Sequence, residues 1–124
     1  MTEQRTITLP TLDHGPVALP EPAWCRGHQD HIPGYRVDLA HTGPEHSFAF
    51  DGEQLLVAML SQAPFSETGS RATGLYVEQT GYAATLGYAG TRQLAAALTV
   101  HAMHLRTLAD SLTAIDAAAE GGPR

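Results

Sequence analysis

The chain has 124 residues, 7 basic against 13 acidic side chains for a net charge of −6, and is 43% hydrophobic and 16% charged. That is the composition of one ordinary globular domain large enough to bury a core, and it excludes a disordered segment. No apolar run approaches the ~18 residues a bilayer span needs, and the acidic balance argues against general affinity for nucleic acid or an anionic membrane.

Met1 to Pro10 carries one arginine and no apolar stretch, so no secretory leader is expected and a cytoplasmic location follows. Arg5 to Leu12 alternates, with Ile7 and Leu9 on one face and Thr6 and Thr8 on the other, which predicts a strand. His14, Gly15 and Pro16 make a turn, and Val17 to Leu19 returns as the second arm of a hairpin until Pro20 and Pro22 interrupt the ladder. Tyr35, Val37 and Leu39 alternate again and predict another strand, as do Phe48 and Phe50. Asp51 and Gly52 supply the positive-φ residues of a tight hairpin turn. Leu55 to Leu60 is continuously apolar, and periodicity leaves two readings: a strand covered on both faces or a buried helical turn and a half. Ser66 to Ser70 reads as a loop, and Gly74 to Gln79 with Tyr82 to Leu86 as a final hairpin divided by Thr80 and Gly81.

Past Gly90 the period changes. Thr91 is the expected N-cap and Gly121 the stop of one long helix, about residues 91–119, free of glycine and proline and rich in alanine. Leu94, Leu98, His101, Leu105, Leu108, Leu112 and Ile115 step by alternating fours and threes. Two compatible readings follow: the stripe packs on the open face of the sheet, or part of it pairs with a second copy, since such a helix extends about 42 Å at 1.5 Å per residue. Residues 120–124 read as a frayed tail.

The residues with chemistry concentrate between Cys25 and His46, a stretch holding four of the 7 histidines and the only cysteine. A lone cysteine excludes an internal disulfide and leaves core packing, metal ligation or nucleophilic chemistry. Cys25, two residues, His28, twelve residues, His41, four residues, His46 is the interval pattern of two close ligand pairs separated by a loop. Each close pair lets one turn of chain present two donors, and Gly27, Gly43 and Pro44 suit the tight bends required. Zinc accepts thiolate and imidazole alike, so Cys25, His28, His41 and His46 form a sound tetrahedral set, with His31 able to replace His28. Four protein ligands make a closed structural site. Three with a water make an open one, with Glu45 or Asp30 as a base for hydrolysis. The metal-free alternative has solvated loop histidines and Cys25 as a small buried hydrophobe beside Trp24. His101 and His104 share a helix face but fall in or beside the apolar stripe, and Cys25 with His28 lacks the orienting partner of a nucleophilic pair. No glycine pattern before the helix matches a phosphate loop.

The opening Thr-Ile-Thr-Leu, the Pro-Ala-Trp-Cys segment with His28, the His41-Thr-Gly-Pro-Glu-His46 segment and the closing Ala- and Leu-rich helix together resemble a family of small actinobacterial, Streptomyces-type proteins grouped as a domain of unknown function. The Trp-Cys-x-x-His and His-x-Gly-Pro segments are the specific part of that likeness. The resemblance implies an intracellular protein and carries over no activity, in keeping with a composition whose seven basic residues are all arginine.

These readings converge on a single α+β domain, a mostly antiparallel β-sheet of about residues 5–88 with one long C-terminal helix packed on it. The expected function is that of a small non-enzymatic regulatory or adaptor protein whose zinc-held Cys25 to His46 loop presents a surface to a protein partner, with a possible homodimer through the helix. The alternative is a metal-dependent hydrolase or ligand-binding enzyme with an open histidine site.

Overall fold

A computed structural model describes residues 5–120 and the side chains of residues 5–118; the predicted tail at 121–124 lies outside the described residues. The fold is α+β, with antiparallel strand pairs and one long C-terminal helix. The chain forms two compact units. One comprises the residues up to Pro44 with Leu60–Gly74, the other Glu45–Met59 with the residues from Leu75 onward.

The first unit is built on a hairpin of β1 (Arg5–Thr11) and β2 (Gly15–Glu21), paired antiparallel from Arg5↔Glu21 to Thr11↔Gly15. The strand continues through Pro20 to Glu21, further than its prolines suggest. Pro10 faces Pro16, a pair that can exchange no N–H bonds, so it occupies a non-hydrogen-bonded site. Antiparallel alternation then puts Thr6↔Pro20 in the same class, and no ladder bond is lost. The turn lies at Leu12–His14, with Gly15 opening β2 at φ +60°. Inward residues are Ile7, Leu9 and Thr11 on one strand and Val17, Leu19 and Glu21 on the other. Leu9, Leu19 and Leu39 form the core, with Ile7, Val17 and Phe65 packed against it. Leu19 is 2% exposed, so Leu19→Ala is expected to cost about 2–5 kcal/mol in urea unfolding.

The alternation at Tyr35–Leu39 does not become a strand. The chain makes one 3₁₀ turn at Arg36–Asp38. Its N–H groups are taken elsewhere than in a ladder: Asp38 N and Leu39 N donate to the nearby carbonyls of Tyr35 and Arg36, and Arg36 N donates to the distant Asp13 carboxylate at 2.9 Å. Only Leu39 of the apolar set enters the core; Tyr35 stays exposed. The two-residue β3 (His41–Thr42) then pairs with Gln62 and Ser61.

The second unit contains β4 (His46–Phe50), most of β5 (Glu53–Gln62) and β6 (Gly74–Gln79), with β4 and β6 both pairing with β5. Asp51 and Gly52 turn the β4–β5 hairpin at φ 55° and 77°, the positive pair expected of its tight turn. Val57 to Leu60 is buried at every residue, so the ambiguous apolar run is a strand covered on both faces. The predicted last hairpin has only its first arm. Thr80 donates to the Leu55 carbonyl, and Tyr82 leaves the sheet to set its ring edge-on to Phe50 and its hydroxyl 3.4 Å from Asp51.

The helix α1 runs from Tyr88 to Glu120 and packs against β4. It begins three residues before Thr91, whose N–H and hydroxyl both donate to the Gly87 carbonyl from inside the first turn. Its inward stripe is Leu94, Ala97, His101, Leu105, Leu108, Leu112 and Ile115. Ala97 takes the place predicted for Leu98, which is 46% exposed. His101 is buried and stacks on Phe48, ring centroids 5.1 Å apart.

Candidate metal centre

The last residue of β2 places a carboxylate where the pattern of its strand calls for an apolar side chain. Parity with Val17 and Leu19 turns Glu21 inward, and it is 4% exposed. The chain then turns through Pro22, with Cys25 N donating to the Pro22 carbonyl, and Arg26 N donating to the Thr42 carbonyl ties the segment to β3. Gly27 at φ +99° bends it again and its N–H donates to Cys25 Sγ at 3.4 Å, which brings His28 back over the cysteine. From the far side β3 supplies His41, 1% exposed. Trp24 closes the edge of the group: its ring meets His41 edge-on, and a Cβ at Gly43 would lie 3.3 Å from its carbonyl oxygen.

Glu21, Cys25, His28 and His41 thereby bring one ligand atom each to within 4.8 Å of one another. His28 Nε2 lies 2.7 Å from Glu21 Oε1 and 3.5 Å from Cys25 Sγ, and His41 Nδ1 lies 3.7 Å from Glu21 Oε1. Zinc bonds of about 2.0–2.3 Å put the corners of a tetrahedron about 3.3–3.8 Å apart, so these separations bracket what the ion needs. Close as they are, Glu21 Oε1 and His41 Nδ1 are buried without a hydrogen bond in acceptable geometry. Such orphaned atoms cost about 1–3 kcal/mol each, which a cation among them would recover.

The surroundings prepare the donors. Arg5 holds the other Glu21 oxygen at 3.0 Å, leaving Oε1 to face the histidines. Burial alone would raise the Glu21 carboxyl, but the close approach of Cys25 and of the His28 ring outweighs it, and the group sits below its ordinary value. His41 is held below the usual histidine value, first by burial and then by His28, so its ring is neutral at pH 7. The Pro20 backbone works in the opposite sense, favouring the charged ring but not outweighing burial, and Nδ1 is buried without a hydrogen-bond partner. Burial, reinforced by Glu21, pushes the Cys25 thiol up against the N–H of Gly27, so a metal entering the site displaces its proton.

A family model for a domain of unknown function, DUF6907, matches residues 6–114. The chain belongs to the DUF6907 family. No curated protein and no solved structure matches it. All four donors of this DUF6907 domain fall inside the matched span.

Three of the four ligands expected from spacing are brought together: Cys25, His28 and His41. His46 is not among them. It lies on β4 opposite Ala58, in the second unit, and the fourth donor is Glu21. His31 does not displace His28, because its Nε2 lies 3.0 Å from the Pro10 carbonyl oxygen. Of the two bases considered for an open site, Asp30 lines a recess of about 400 Å³ beside His28, together with Arg26, Gly27, Gln29, His31 and Thr42. Glu45 is not among its lining residues. The sequence carried one signal for Glu21, an acid on the apolar parity of Val17 and Leu19, hidden by the assumption that Pro20 ended the strand. Among the described residues, no helix is long and apolar enough to cross a membrane.

Proposed function

We propose that this DUF6907 domain is a small non-enzymatic adaptor or regulatory module in which Glu21, Cys25, His28 and His41 hold one zinc ion as a closed structural site. The ion ties the irregular segment between β2 and β3 to the hairpin, so that the segment presents a fixed surface to a protein partner. The observation that carries this reading is the set of four donors from three separate places in the chain, with the atoms Glu21 Oε1 and His41 Nδ1 buried and without a hydrogen bond in acceptable geometry. Mixed thiolate, imidazole and carboxylate ligation suits zinc, and four protein ligands leave no position for the water a hydrolase would need. A structural zinc contributes on the order of 10 kcal/mol to the folding of a small module, enough to order a segment whose only regular element is one 3₁₀ turn.

The recess beside His28 favours a second reading, an open site in which three ligands and a water face Asp30. Coordination number separates the two. Elemental analysis of protein purified without chelator, followed by zinc-edge absorption spectroscopy, is expected to give one zinc per chain with four protein donors including one sulfur. Metal well below one per chain overturns the proposal, and three protein donors plus a water oxygen revive the hydrolase.

A further inference from the structure

Three large apolar side chains are exposed on the segment the metal would hold and on the hairpin turn bonded to it. Leu12, Ile32 and Tyr35 are 69%, 83% and 56% exposed. They come from two stretches of chain, the hairpin turn after β1 and the loop before the 3₁₀ turn, stitched together along their backbones. Leu12 N donates to the Gly34 carbonyl at 2.7 Å, Arg36 N donates to Asp13 at 2.9 Å, and His31 Nε2 bonds the Pro10 carbonyl at 3.0 Å. Large apolar side chains at a loop tip are ordinarily scattered singly; here three sit on adjoining backbone that is fixed by hydrogen bonds, so little ordering remains for a ligand to impose.

The formal charge near these residues is acidic on balance, three aspartates against Arg36, with Asp13 Oδ2 lying 3.0 Å from His14 Nδ1. Asp13 adjoins Leu12, Asp30 precedes Ile32 by two residues, and Asp38 follows Tyr35 by three, all three exposed. Asp13 is held below the usual carboxylate range, chiefly by the Arg36 backbone N–H. The neighbouring cation Arg36 is engaged, its guanidinium 3.9 Å above the Phe65 ring. An acidic rim on a chain of net charge −6 repels an anionic membrane and attracts a basic partner.

We infer that Leu12, Ile32 and Tyr35 form the docking surface for a basic, apolar segment of a partner protein, an aliphatic or aromatic anchor flanked by lysine or arginine. The inference rests on the zinc reading above in one respect: Cys25, His28 and His41 fix both ends of the loop that carries Ile32 and Tyr35.

The experiment selects linear peptides from a random phage-displayed library on the zinc-loaded 124-residue protein. The peptides obtained are then titrated calorimetrically into wild type, Ile32→Ser and Leu12→Ser/Tyr35→Ser. Because the replaced side chains are exposed, both variants are expected to keep the wild-type thermal midpoint and zinc content. Selected peptides should carry the basic and apolar signature, bind Ile32→Ser at least roughly tenfold more weakly, and weaken as salt is raised. Failure to select any peptide, selection of acidic ones, or equal binding to wild type and Ile32→Ser overturns the inference. So does a concentration-dependent dimer that Ile32→Ser abolishes, which would make a second copy the occupant. Zinc content measured on the same samples keeps the two readings apart: zinc present with no peptide bound defeats only the docking surface, whereas Ile32-dependent binding by zinc-free protein defeats only the zinc site.

Discussion

Replacing Glu21 by Gln is expected to weaken zinc binding by roughly tenfold or more, while replacing His46 by Ala leaves it unchanged. Perturbing an outer-sphere partner of a metal ligand costs about 10–100-fold in affinity, so loss of a ligand's charge should cost no less. The substitution keeps the shape of a side chain that is 4% exposed and removes the negative charge that faces His28 and His41. Each tenfold loss in affinity removes about 1.4 kcal/mol of zinc-dependent stabilisation at saturating metal, so the rise in thermal midpoint on zinc addition should shrink in step. Competition against a chromophoric chelator measures the affinity, and melting with and without zinc measures the linkage. The contrast between the two variants is what discriminates. Spacing nominates His46 and geometry nominates Glu21. Loss of binding in His46→Ala with retention in Glu21→Gln would restore the ligand set expected from the sequence.

The sequence revealed those features that depend on local periodicity. The β1–β2 hairpin, the Asp51–Gly52 turn and the long helix each follow from alternation, turn chemistry or the absence of breakers. Three of the four residues of the candidate cluster were nominated by spacing, because a close Cys25–His28 pair is itself a local feature. The misses depend on partners that lie far along the chain. Tyr35–Leu39 alternates like a strand, yet its amides are claimed by its own carbonyls and by Asp13, more than twenty residues earlier. Tyr82–Leu86 follows β6 without returning along it, and Tyr82 is drawn instead to Phe50 and Asp51. Leu98 and Ala97 exchange roles because an apolar stripe fixes a helix face only to within the width of one residue. Glu21 was obscured by a general rule about proline that fails where the missing N–H points away from the ladder.

The second large effect belongs to His101 and separates the contact between α1 and β4 from the metal site. His101 is 5% exposed, stacks on Phe48, and its Nε2 is buried without a hydrogen-bond partner. An unsatisfied polar atom of this kind costs about 1–3 kcal/mol, and leucine fills nearly the same volume with no polar atom. His101→Leu is therefore expected to stabilise the protein by about 1 kcal/mol near neutrality, against the usual trend of core substitutions. The gain should grow in acid. Burial, with smaller contributions from His104 and His46, holds the His101 ring below the ordinary histidine value of 6.5. Below that value the unfolded chain takes up a proton that the folded chain refuses, so wild-type stability falls as pH drops until the lower folded value is reached, and is insensitive to this group above 6.5. His41 adds a slope of the same sign, but it is common to both proteins and cancels in the comparison. Urea unfolding followed by helical circular dichroism, at one pH well above and one well below 6.5, gives the two differences. A destabilised variant, or a difference between the proteins that does not widen in acid, would mean that His101 has a partner satisfying its ring when protonated, and that the helix is held to β4 by more than apolar packing.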